Sequence, residues 1–301
     1  MRSSERRRSL RALAAGLAFA SPWLIGFAIF TAYPICASLY YSFTRYDTLS
    51  APHWVGVQNY VRLMTEDELF WKSLRNTLFM VAFGLPASLA AGLALALLLN
   101  MRLRGMALYR TVFYIPSIVP TVASAVLWMW LLNPQIGLIN RLLAKAGIQG
   151  PGWLTDPVWA KPALILMGLW GVGGSMIIYL AGLQDVPREL YEAAEIDGAG
   201  GAARFRHVTI PMLSPVIFFN LVMGLIGTFQ YFTQVYVMTQ GGPQDATLFY
   251  ALHLFNRAFT DLQFGYASAM AWILFAITVA ATALVFRTSA RWVYYPGEMR
   301  Q

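Results

Sequence analysis

Charge is scarce in this chain of 301 residues: only 12% are Asp, Glu, Lys or Arg, about half the share of a soluble domain, while 58% are hydrophobic. That balance excludes a soluble globular protein and leaves a polytopic membrane protein. Cys36 is the only cysteine, so no intramolecular disulfide can form. His53, His207 and His253 are scattered without HExxH spacing, which argues against a membrane metalloenzyme; neither a metal site nor catalytic residues are expected. The chain has no Gly-Lys dipeptide and therefore no GxxxxGK[ST] phosphate loop. It is expected to bind no cofactor itself and to hydrolyse no ATP. All 14 acidic residues lie outside the long apolar runs, where a proton- or sodium-coupled transporter would need carboxylates as relays or ion ligands.

What is present is a set of uncharged runs at 12–44, 76–101, 111–140, 162–184, 208–244 and 262–286. Each reaches the roughly 20 residues that cross a hydrocarbon core. The first follows five arginines, as a signal peptide would, with Ala18-Phe19-Ala20 as a possible cleavage site. It continues far past that point, so an uncleaved span is expected, kinked at Pro22 and Pro34. The fold class expected is all-α, with six transmembrane helices. The third run is expected to tolerate Pro116 and Pro120 within its helix, with Trp128 and Trp130 in an outer interfacial belt. The segment Ala246–Arg257 has helical spacing but is too short to span, and is expected to lie on the outer surface.

Orientation follows from the basic residues. Of 22 Lys and Arg, 14 fall on the side holding both termini and the loops 101–110 and 184–212. By the positive-inside rule that side is cytoplasmic. The net charge of +8 is thus a topological signal, and no nucleic-acid partner is expected. The organisation expected is a cytoplasmic tail over 1–11, a six-span domain over 12–286 and a cytoplasmic tail over 287–301.

The loop 184–212 carries five of the 14 acidic residues. Pro187 suits a helix start, and Glu189 and Glu192 lie toward the positive end of its dipole. Gly198, Gly200 and Gly201 are expected to end that helix. Glu192-Ala193-Ala194, three residues, Gly198, nine residues and Val208-Thr209-Ile210-Pro211 resemble the EAA loop of binding-protein-dependent ABC importer permeases. The usual ending there is closer to I-x-L-P, so Val208 and Ile210 are conservative departures. The resemblance implies that Glu192, Ala193, Ala194, Asp197, Gly198, Ile210 and Pro211 dock on a separate ATPase subunit. It also implies two such ATPases carrying ATP and Mg, a second related permease and an extracytoplasmic solute-binding protein, in the inner membrane of a bacterium or archaeon.

Polar groups within a span must face protein or water. The fifth run is densest in them, with Asn220, Thr228, Gln230, Tyr231, Thr233 and Gln234. In a continuous helix Gln230 and Gln234 share one face. The fourth run adds Trp170 beside Gly171, Gly173 and Gly174, which leaves room for a cavity. Neutral hydrogen-bonding groups among aromatic rings suit sugar hydroxyls and ring faces, although Thr and Gln can equally bond helix to helix. Met238-Thr239-Gln240-Gly241-Gly242-Pro243 and Phe264-Gly265-Tyr266-Ala267-Ser268-Ala269 resemble the sugar-importing, maltose-type permeases, as does Thr31-Ala32-Tyr33-Pro34. That resemblance implies a sugar pathway on the spans flanking the EAA loop, matching Trp170, Thr228, Gln230, Tyr231 and Gln234 by position. The function expected is ATP-driven import of a sugar, an oligosaccharide. The alternatives are glycerol-3-phosphate or a related polyol phosphate, which would want Arg or Lys in the pathway, and an ion-coupled secondary transporter.

Overall fold

The computed structural model describes residues 2–101 and 103–294, with side chains described from residue 15 onward. The chain opens with α1 (Arg2–Phe27), a π-helical turn (Ala28–Ala32) and α2 (Tyr33–Ser42). An antiparallel pair, β1 (Thr44–Arg45) with β2 (His53–Trp54), leads into α3 (Gln58–Thr65). Next come α4 (Glu68–Phe79), a π-turn (Met80–Gly84) and α5 (Leu85–Leu99). The middle of the chain holds α6 (Met106–Ile118), α7 (Thr121–Leu131), α8 (Leu138–Lys145), α9 (Ala160–Trp170) and α10 (Gly173–Gln184). Beyond them lie α11 (Arg188–Ile196), α12 (Gly201–Arg204), a π-turn (Phe205–Thr209), α13 (Ile210–Phe229) and α14 (Thr233–Met238). The last elements are α15 (Tyr250–Phe255), a π-turn (Asn256–Thr260) and α16 (Phe264–Ser289). Among the described residues the fold is all-α apart from the short β1–β2 pair.

Ala15–Ser42, Glu68–Leu99, Gly201–Phe229 and Phe264–Ser289 are each long and apolar enough to cross a bilayer unbroken. Among the described residues the bent pairs α6–α7 and α9–α10 bring the count to six when each is one crossing. In three places a π-turn ends two residues before a proline: Pro34, Pro86 and Pro211. A proline ring crowds the carbonyl four residues back and offers no N–H to it. That carbonyl belongs to Phe30, Ala82 or His207, inside the π-turn in every case. A single turn of wider register opens space there without ending the helix.

One compact unit comprises Met1–Glu66 with Phe255–Ile273. Asn59 stitches its hairpin, donating from Nδ2 to the carbonyls of Ser42 and Thr44, both at 2.9 Å. The Gly265 N–H donates to the Tyr46 carbonyl at 3.1 Å, joining the start of α16 to the same hairpin. Tyr266 is buried, with the guanidiniums of Arg62 and Arg257 4.8 and 5.8 Å from its ring centre.

The second unit comprises Asp67–Leu254 with Leu274–Gln301. There α10 packs along α5, α6 and α13, and α14 packs on α7. One core cluster gathers Met80, Trp128, Leu132, Leu164, Val235 and Phe249; another gathers Ala96, Met176, Tyr179, Leu183 and Leu213. The segment 244–253 is fastened to α4 by polar pins. Asn76 donates to the carbonyls of Asp245 (2.9 Å) and Leu248 (3.0 Å) and accepts from Lys161 Nζ (2.9 Å). Lys72 Nζ donates to the Gln244 carbonyl at 2.7 Å, and the Tyr250 N–H donates to Thr77 Oγ1 at 2.9 Å. His253 Nε2 lies 3.1 Å from Asp67 Oδ2, both side chains buried. These contacts hold Gln244 and Asp245 at left-handed φ values of 49° and 57°, which side-chain-bearing residues rarely adopt.

Four expectations change. The third run is no through-helix: α6 and α7 meet at 99°, because Pro120 drives Val119 into extended backbone (ψ 131°). Trp128 is 7% exposed and packs edge-on to Trp170 at 6.1 Å, so it belongs to the core rather than an outer belt. Ala246–Arg257 is helical only from Tyr250. Leu248, Phe249, Tyr250, Leu252 and His253 are all buried, because Asn76, Thr77 and Asp67 supply the partners that let its polar groups leave water. The expected kink at Pro34 takes the form of the π-turn before it.

Asn76→Ala would strip partners from two carbonyls and one ammonium at once, costing about 2–4 kcal/mol. The melting temperature of the purified chain in detergent should fall by several degrees; a Tm within one degree of the parent would show that Asn76 is not a structural pin.

Candidate functional site

The acidic loop is an exposed, self-closed helix. In α11 the Pro187 carbonyl accepts from the Leu190 N–H at 3.3 Å, and Glu189 sits in the first turn. At the other end the Gly198 N–H donates to the Glu195 carbonyl (3.0 Å) and the Ala199 N–H to the Ala194 carbonyl (2.8 Å). This double closure is a Schellman motif, and it needs a left-handed residue where Gly198 has φ +78°. Gly200 and Gly201 do not end this helix, contrary to expectation. Gly200, in extended backbone (ψ 171°), caps α12, and Gly201 begins it, because the Schellman turn has already satisfied the last carbonyls of α11.

Two side-chain links tie α11 to α12 and to the π-turn below α13. Arg204 Nη1 lies 3.2 Å from Glu195 Oε2, and the Tyr191 and Thr209 hydroxyls share a hydrogen bond at 3.0 Å. Thr209 is buried at the foot of α13. Glu192, Ala193, Asp197 and Gly198 are exposed, as is Ile196 at 87%; Ala194, Ile210 and Pro211 are half-buried. The outward face of α11 is thus acidic with an apolar point at Ile196, while its inward face holds α13. The two links were not anticipated, although Tyr191 and Glu195 stand one helical turn apart and share a face.

At the other end of α13 lies a cavity of about 230 Å³. Three helix interruptions meet in its wall: Val119 and Thr121 flank the break at Pro120, Trp170 and Gly171 the 49° break between α9 and α10, and Tyr231 and Gln234 the break between α13 and α14. Gly173 lets the second break close up, since a Cβ there would collide with the Phe113 carbonyl and sit 2.9 Å from Tyr114 Cα. An adjoining, mostly apolar hollow of about 150 Å³ shares Tyr231 and Gly168 as its wall.

Trp170, Tyr231 and Gln234, three of the residues expected on the pathway, line this one cavity. Thr228 lines the second hollow instead, and its hydroxyl donates to the Gly224 carbonyl at 2.7 Å, within its own helix. Gln230 is exposed and lines neither hollow. The expected shared face of Gln230 and Gln234 does not exist, because α13 ends at Phe229 and Gln230 is its C-cap. Ser117 and Thr121 line the cavity and were missed; their signal was a pair of hydroxyl residues beside Pro116 and Pro120, which mark a helix that opens. No Lys, Arg, Asp or Glu lines this cavity among the described residues. It offers neutral donors and acceptors beside two aromatic rings. Among the described residues no group of three or more His, Cys, Asp or Glu could hold a metal ion.

Residues 69–294 match the family described as "Binding-protein-dependent transport system inner membrane component". The chain is 46% identical to the probable ABC transporter permease protein YesP of Bacillus subtilis (strain 168), over 94% of this chain and 93% of that one. It is 36% identical to the lactose transport system permease protein LacF of Rhizobium radiobacter, over 90% and 92%. In fold it is similar to a chain of a bacterial alginate ABC transporter solved in complex with an alginate pentasaccharide-bound periplasmic protein (TM-score 0.83, 22% identity, 94% of this chain and 96% of that one). With the family match spanning most of the chain and YesP similar almost end to end, this protein belongs to the binding-protein-dependent transport system inner membrane components: it is an ABC transporter permease subunit, a transport component and not an enzyme.

Proposed function

We propose that this permease carries a neutral sugar, an oligosaccharide before a monosaccharide, across the inner membrane, powered through α11 by ATPase subunits. The observation that carries the proposal is that one helix joins the two sites. α13 is clamped to α11 at its foot and ends one residue before the turn that presents Tyr231 to the cavity, about 30 Å away at 1.5 Å per residue. Glu192, Ala193, Ala194, Asp197 and Gly198 form the ATPase contact, and Ile210 and Pro211 pass its movement into α13. Two ATPase subunits hold ATP and Mg, a second related permease completes the pathway, and an extracytoplasmic solute-binding protein delivers the substrate. The termini and α11 face the cytoplasm, in line with the basic-residue count.

ATP can move the substrate only if it favours one arrangement of the permease over another. Closure of the ATPases on ATP draws in α11, and the rigid link tilts α13, changing which side the cavity opens to. Trp170 and Tyr231 offer faces for the C–H side of a pyranose ring, while Gln234, Ser117 and Thr121 meet its hydroxyls. A polyol phosphate would bring two negative charges to a wall with no Arg or Lys among the described residues, and its desolvation would go unmatched.

Two outcomes test this. Glu192→Lys should lower ATP-driven uptake in proteoliposomes by tenfold or more while leaving the melting temperature unchanged; parent-like uptake, or uptake driven by an ion gradient without ATP, would sink the coupling role. Tyr231→Ala and Gln234→Ala should each cost about 1–2 kcal/mol of substrate interaction, roughly tenfold in apparent affinity, and shift preference among sugars. Gln230→Ala should not, and a Gln230 effect equal to that of Tyr231 would count against the cavity as the pathway.

A further inference from the structure

A larger cavity, about 660 Å³, lies in the other unit, enclosed by the β1–β2 hairpin, α3 and the start of α16. Small-molecule sites commonly fall between roughly 300 and 1,000 Å³. It sits where the first span ends at Ser42 and the last begins at Phe264. With six crossings, those two ends share the face opposite both termini.

Its charges balance. Arg45 and Arg62 face it with Asp47 and Glu66, and these are the Lys, Arg, Asp and Glu residues lining it among the described residues. Arg45 has no ion-pair partner among the described residues. Asp47 accepts from the Ser50 hydroxyl (2.8 Å) and the N–H groups of Ser50 (2.9 Å) and Leu49 (3.1 Å) through one oxygen, Oδ1, leaving Oδ2 outside these bonds. Those bonds, the Ser50 hydroxyl first, hold its carboxyl below the usual range, so it is ionised at neutral pH. Gln58 adds an amide, and Tyr46 a ring whose orientation is set by stacking on Tyr41 at 4.6 Å.

Two guanidinium and two carboxylate groups give no net attraction for an anion or a cation. They suit a neutral ligand with adjacent hydroxyls, which donates to a carboxylate and accepts from a guanidinium. We infer that this cavity is a carbohydrate subsite on the face opposite the termini, separate from the Trp170–Tyr231 cavity, that holds a sugar unit through Arg45, Asp47 and Gln58. This rests on the sugar reading and on the cytoplasmic placement of the termini proposed with it.

The test uses the complete transporter in nanodiscs, without solute-binding protein, and neutral glucose and galactose oligosaccharides of two to five units as probes. Binding is read by saturation-transfer NMR. The parent should bind at least one probe. Measured in a Tyr231→Ala, Gln234→Ala background that weakens the inner cavity, an Arg45→Ala, Asp47→Asn double variant should lose tenfold or more in affinity and Gln58→Ala less. Equal binding with and without the Arg45→Ala, Asp47→Asn change in that background, or no binding of any probe by the parent, would overturn the subsite. Weakened association of the solute-binding protein in the double variant, with sugar binding intact, would also overturn it and mark a protein contact. Sugar uptake by the parent with its binding protein separates the two levels: uptake without subsite binding refutes only the subsite, and no sugar uptake at all refutes the sugar reading itself.

Discussion

A peptide group left without a partner in hydrocarbon costs several kcal/mol, and that cost decides where this chain can bend. Most of its backbone therefore stays in helices. Where prolines 34, 86 and 211 threaten the ladder, the helix widens for one turn and continues. Where it does break, beside Pro120, at Gly171 and at Tyr231, the break lines a cavity. Where a whole segment leaves helix inside the fold, as 244–249 does, side chains of α4 take over the bonding. Asn76 alone serves two carbonyls and an ammonium. Bending and polar substitution are one phenomenon here, seen once from the backbone and once from the side chains.

How much of this could be read from the residues depends on how local the cause is. The six apolar runs, the helical class and the start and stop of α11 follow from hydropathy, Pro187 and Gly198, all of which act within a few positions. The convergence of Trp170, Tyr231 and Gln234 was legible from polarity inside apolar runs. The end of α13 at Phe229 was not, because Gln230-Tyr231-Phe232 contains no Gly or Pro; packing of Phe229 and Tyr231 with residues distant in sequence sets that break. Trp128 and the 246–253 segment failed for a related reason. An aromatic near a span end reads as interfacial, and a short amphipathic helix reads as surface. Only the positions of Trp170 and α4 in three dimensions turn them inward. The roles of Gly200 and Gly201 were misjudged because three close glycines look like one terminator, whereas one left-handed residue already closes the helix.

The clamp between α11 and α13 has a mechanical corollary. An exposed ion pair such as Glu195–Arg204 contributes little alone. Tyr191–Thr209 differs, since Thr209 is buried and α13 begins one residue later. Any tilt imposed on α11 must either break that bond or carry the foot of α13 with it. The 20 residues of α13 carry such a tilt along the helix; Pro215 has no N–H for the Pro211 carbonyl, which accepts instead from the Ser214 hydroxyl at 2.6 Å.

What the tilt reaches is a place already built to change shape. A continuous helix has one hydrogen-bonded arrangement, but an interrupted one can alter its angle by changing a few backbone torsions while both halves stay intact. Three such interruptions border the same cavity, and Tyr231 sits within one of them, two residues beyond the end of α13. Movement of α13 therefore displaces a cavity-lining ring without requiring any half-helix to unfold. The same ring separates the polar cavity from the apolar hollow beside Thr228. A shift of Tyr231 would merge or divide the two spaces, so access and affinity would change in a single step, which is the coupling that transport against a gradient demands.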